Sequence, residues 1–147
     1  MKKIIISVFV VIASGVSLRA QQSPVFIYSG KAIRGFDPVA YFTDGKPVQG
    51  KEELKYEWNN ATWFFATQQH LDSFKVSPER FVPQYGGYCA YGLSEGHKAP
   101  TSPDAWTIVE GKLYLNYNTK VMGMWRKDEQ QRIETADSKW PALKNKE

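Results

Sequence analysis

The stretch Leu54-Lys55-Tyr56-Glu57-Trp58-Asn59-Asn60-Ala61-Thr62-Trp63-Phe64-Phe65-Ala66-Thr67 decides the fold of this chain. Two aromatic-rich runs, Leu54 to Trp58 and Ala61 to Ala66, flank a pair of asparagines. Asparagine tolerates the positive φ that a two-residue turn demands, so the stretch reads as a β-hairpin. Thr67 follows as the N-cap of a helix to about Val76, with Leu71 and Phe74 on one face and Pro78 as its stop. Pro78 to Phe81 adds a short helical turn.

Upstream, Val25 to Tyr28 reads as a short strand or extended segment, and Val39 to Phe42 as an extended apolar run after the Asp37-Pro38 turn. Asp44-Gly45 marks another turn. Downstream, Ala105 to Val109 and Lys112 to Asn116 flank Glu110-Gly111, which predicts a second hairpin. Asn118 caps a longer helix from Thr119 to about Thr135, with Val121, Met122, Trp125 and Ile133 roughly on one face. Trp140-Pro141-Ala142-Leu143 is expected to pack back on the body before a charged tail. The fold class is therefore α+β: a small single domain of two antiparallel hairpins packed with two main helices.

Residues 1–20 stand apart from that domain. Met1-Lys2-Lys3, the apolar run Ile4 to Ile12 and the ending Leu18-Arg19-Ala20 have the layout of a secretory signal, with cleavage expected after Ala20. Ser7, Ser14, Gly15, Ser17 and Arg19 break the run below the roughly twenty apolar residues of a membrane anchor. The expected mature chain is exported, periplasmic or secreted, with no membrane anchor. Removing Lys2, Lys3 and Arg19 from the 19 Lys and Arg leaves 16 against 15 Asp and Glu. With acids and bases interspersed and no basic block, nucleic acid has no support as a partner.

The 14% aromatic content gives a small domain much area to bury without crosslinks. Cys89 is the only cysteine, so no internal disulfide can form. It lies in Gln84 to Pro100, reading QYGGYCAYGLSEGHKAP, with Gly86, Gly87, Gly92 and Gly96, the tyrosines Tyr85, Tyr88 and Tyr91, and His97. Glycine at that density predicts positive φ or close backbone approach, hence a shaped loop and not a helix.

The chain resembles the YHS domain through Asp37-Pro38-Val39, Trp63-Phe64-Phe65-Ala66-Thr67, Phe74 and Ser77-Pro78-Glu79-Arg80-Phe81. The resemblance covers roughly residues 35–83. Residues 84–147 look like the extension of an exported subgroup. The family is related to treble-clef metal-binding modules of the TRASH type, and its metal-binding relatives carry cysteines where this chain has Ala40, Ala66 and His70. Two alanines cannot ligate an ion, so only His70 remains as a donor of that cage.

The candidate metal residues are therefore Cys89, His97 and His70. A soft thiolate with imidazole, and with Met122 or Met124 if the fold brings them near, points to copper first and zinc second. The expected function is an exported metal-binding or metal-handling module. Two alternatives stay open: a small-ligand or protein-binding module with an inert Cys89, in which the three tyrosines line a pocket, and a thiol-dependent enzyme needing a thiol activated by His97 or Lys98.

Overall fold

The computed structural model describes residues 23–146. The expected signal, residues 1–20, lies outside the described residues. The rest is α+β, with three two-stranded antiparallel sheets and six α-helices among the described residues. None of these helices is long and apolar enough to cross a membrane.

Three tight turns make the hairpins. Strands β1 (Ile27–Tyr28) and β2 (Lys31–Ala32) join through Ser29 and Gly30, a pair in addition to the two expected hairpins. Strands β3 (Lys51–Trp58) and β4 (Ala61–Phe65) join through Asn59 and Asn60, with φ of 52° and 56°. Strands β5 (Trp106–Val109) and β6 (Lys112–Leu115) join through Glu110 and Gly111, with φ of 50° and 74°. Two successive positive φ values match the right-handed twist of the flanking strands, which is why Asn and Gly occupy these turns. Helix α2 (Gln68–Val76) follows β4, capped by Thr67 Oγ1, which accepts the His70 N–H, and α3 (Pro78–Phe81) follows at once.

Three expectations change. Val39 to Phe42 is not extended: α1 (Ala40–Thr43) starts there, because Asp37 Oδ1 accepts the N–H groups of Val39 at 2.8 Å and Ala40 at 3.3 Å and winds the chain. The stretch Gln84 to Pro100 is only partly loop. It holds α4 (Ala90–Glu95), opened by Cys89 Sγ accepting the Gly92 N–H and closed by Gly96 at φ 94°. The helix expected from Thr119 to Thr135 is two, α5 (Thr119–Arg126) and α6 (Glu129–Leu143), separated where Asp128 leaves helical geometry at ψ 39°. That break lets Trp125 from one helix and Ile133 and Ala136 from the other face one core. Trp140 and Pro141 continue α6, and Trp140 packs on Tyr85 and Tyr88.

Strand β6 joins two clusters of buried side chains. Leu113 and Leu115 lie in the first, with Trp63, Phe65, Phe74 and Phe81, and Tyr114 between them lies in the second, with Tyr85, Leu93 and Trp125. Successive strand residues point to opposite faces, so one strand serves as a wall common to both. Leu113 and Leu115 thereby carry the C-terminal extension into the core of the first hairpin and α2.

Candidate functional site

The three predicted donors fall in different surroundings. His70 is 8% exposed and is held at both ring nitrogens: Nδ1 lies 2.6 Å from Asp37 Oδ2 and Nε2 lies 3.1 Å from Thr43 Oγ1. Asp37 is fully buried, and its Oδ2 also accepts the Ala66 N–H at 2.8 Å. This carboxylate therefore ties the turn before α1 to the junction of β4 and α2, with His70 as its fourth partner. Asp37 is thus a hub that joins two segments distant in sequence, its own turn and the β4–α2 junction. Of the two alanines at positions where the resemblance leads one to expect cysteine, Ala40 is fully buried and Ala66 half-buried. Their methyl groups donate nothing, so neither position can supply a ligand to a metal ion.

Cys89 is 2% exposed at the start of α4. Its Sγ accepts the Gly92 N–H at 3.5 Å and donates to Asn116 Oδ1 at 3.5 Å. Burial pushes the thiol above its ordinary value of 9.0, opposed by backbone N–H groups of Gly92, Tyr117 and Tyr91 that favour the thiolate. Asn116 was not foreseen as its partner: a polar residue closing an apolar strand is the only signal in the sequence. Its Oδ1 also accepts the Tyr91 N–H at 3.0 Å, while its buried Nδ2 has no partner among the described residues.

His97 is exposed and stands beyond α4. Gly92 links it to Cys89. The glycine gives its N–H to Sγ, and a Cβ built on it would lie 3.4 Å from His97 Nε2. Among the described residues there is no group of three or more His, Cys, Asp and Glu able to hold a metal ion. A four-donor zinc shell from these side chains therefore does not fit, and Cys89 with His97 leaves two donors, a thiol and an imidazole. Met122 and Met124 lie on α5, half-buried and exposed.

The tyrosines divide. Tyr85 is buried, donating to Asp137 Oδ1 at 2.9 Å, and Tyr91 lies under the Arg132 guanidinium, 4.0 Å from its ring centre. Tyr88 alone of the three reaches the His97 pocket. That pocket, about 660 Å³, is lined by Phe26, Ile27, Tyr88, His97, Lys98 and Leu143, among others. Phe26 and Tyr88 pack at 5.7 Å as an aromatic floor. The Lys98 ammonium stands 5.0 Å from the Tyr88 ring centre and donates to the carbonyls of Lys144 and Lys146, neutralising the end of α6. Burial lowers its pKa from 10.5. Lys146 adds a third basic side chain, and no described residue lining the pocket is acidic.

No curated protein and no solved structure matches this chain. A family model does: residues 39–85 match that of the YHS domain, close to the expected 35–83. The match runs from the residue after Asp37-Pro38 through the long hairpin, α2 and α3 to Tyr85, and leaves Cys89 and His97 outside it. The aromatic hairpin and the helix docked on it both fall within this match, so it is residues 39–85 of the chain that correspond to a YHS domain.

Proposed function

We propose that this chain is an exported ligand-binding module that takes a small organic anion with an apolar body, such as an aryl carboxylate. The supporting observation is the pocket beside His97, where His97, Lys98 and Lys146 meet an aromatic floor with no described acid in the lining. Its 660 Å³ falls within the range of small-molecule sites. The apolar body lies against Phe26, Ile27, Tyr88 and Leu143. The carboxylate takes the Lys98 N–H left over from the two carbonyls, and the His97 edge. A charge-assisted hydrogen bond contributes about 1.5–3 kcal/mol. Calorimetric titration with phenylpropionate and with its neutral amide tests the reading: the acid should bind at least about tenfold more tightly. Equal affinities, or no heat from either, would overturn it.

YHS domains are associated with metal handling, and one observation favours a second reading, copper held by Cys89 and His97: both residues abut Gly92. A soft thiolate and an imidazole are a donor pair suited to Cu(I). Under this reading the purified chain binds one Cu(I) in competition with a chelator, and Cys89→Ser loses it. Retention of the ion by that variant would remove Cys89 from the site.

A further inference from the structure

A separate cleft of about 450 Å³ opens between the tip of the β3–β4 hairpin and the last turns of α6. Two half-buried indoles line it, Trp58 at the end of β3 and Trp140 in α6. Around them stand Asn59, Glu79, Gln84 and Asn145. Lys144 also lines the cleft, so its one cation offsets its one carboxylate, yet the two are not paired with each other. Among the described residues, none of these five polar side chains takes part in a hydrogen bond or an ion pair.

We propose that this cleft binds a neutral saccharide. A sugar ring presents an apolar C–H face and a rim of hydroxyls, each able to donate one hydrogen bond and accept two. The indoles supply flat apolar surface. The amides of Asn59, Gln84 and Asn145 supply donors and acceptors side by side, with Glu79 as a further acceptor. Balanced charge selects no ionic ligand, in contrast to the basic pocket at His97. The platforms are held before any ligand arrives: Trp58 packs edge-on with Phe74 at 6.1 Å and 87°, and Trp140 with Tyr85 at 6.0 Å and 68°. A binding surface fixed in advance loses little conformational freedom on association.

The test uses the whole chain and four probes: cellotriose, maltotriose, tri-N-acetylchitotriose and, as a competing class, decaproline. The indole N–H signals of Trp58 and Trp140 in a nitrogen–proton correlation spectrum report occupancy. The proposal predicts saturable shifts of both signals with at least one trisaccharide, and affinity lowered about tenfold in the double variant Gln84→Ala with Asn145→Ala. Both positions lie outside the two buried clusters, so the variant should keep the wild-type melting temperature. If no saccharide moves these signals, if decaproline alone does, or if the folded double variant binds unchanged, the proposal falls.

Discussion

Asp37 Oδ2 lies 2.6 Å from His70 Nδ1, and the same carboxylate accepts three backbone N–H groups, from Val39, Ala40 and Ala66. An asparagine at this position has one acceptor oxygen and turns an NH2 toward donors. Asp37→Asn should therefore destabilise the domain by about 2–4 kcal/mol, read from the urea midpoint at unchanged slope. His70→Ala should cost less, about 1–2 kcal/mol, because the three backbone donors keep their partner. Equal losses in the two variants would contradict the hub.

Cys89 opens α4 from a buried position, and its thiol is raised by burial. Alkylation by iodoacetamide at neutral pH should run well below the rate of a model thiol, and should go on rising with pH beyond 9.0, where that of a model thiol levels off. Cys89→Ala removes the acceptor for Gly92 N–H and should lower stability by about 1–2 kcal/mol in urea unfolding. Fast neutral alkylation of the folded protein would contradict this placement.

Gly86 adopts φ 63°, and a Cβ there would stand 1.8 Å from the carbonyl oxygen of Pro24. The clash is with backbone and cannot be relieved by a rotamer change. Its own carbonyl accepts the Phe26 N–H at 2.8 Å, so the segment around Phe26 is held at this glycine. Gly86→Ala should cost about 3 kcal/mol or more and release that segment to proteolysis ahead of the rest. A melting temperature equal to that of the parent would overturn the contact.

Three buried tyrosines make the domain sensitive to alkali. Tyr114 is pushed from 10.0 up to about 12, by burial first and then by Asp137, Glu110 and Glu129. Tyr41 is raised by burial and by Asp104 and Asp37, and Tyr85 by burial and its hydrogen bond to Asp137. The unfolded chain loses these protons near 10.0 and the folded chain only later. Their stabilisation is fully present below that pH; the share of Tyr114 is lost as the pH rises through about 12, and those of Tyr41 and Tyr85 at higher pH still. Tyrosinate absorbance should thus lag behind that of denatured protein, and the denaturant midpoint should fall across this window. Coincident curves would contradict the burial of these rings.

Local chemistry made much of this legible. Asn59-Asn60 and Glu110-Gly111 announced their turns, Thr67 and Asn118 accept the N–H groups of His70 and Val121 as expected, and Leu71 and Phe74 are buried together. The glycines near Cys89 do mark close approach, at Gly86 and Gly92. What was not legible depends on distant partners. Asp37 was read with its own turn, but its bonds to Ala66 and His70 arise only when β4 returns beside it. The break between α5 and α6 follows from Trp125 and Ile133 sharing a core, which periodicity read as one uninterrupted face. The His97 pocket is built from Phe26, Tyr88 and Leu143, far apart in the chain, and no spacing encodes it.

The most direct measurement is chemical-shift mapping of the purified chain during titration with phenylpropionate. Saturable shifts concentrated at Phe26, Tyr88, His97 and Lys98, with the Trp58 indole unmoved, are the predicted result. No saturable shift at these four residues, or shifts confined to the cleft between Trp58 and Trp140, would contradict a ligand site at His97.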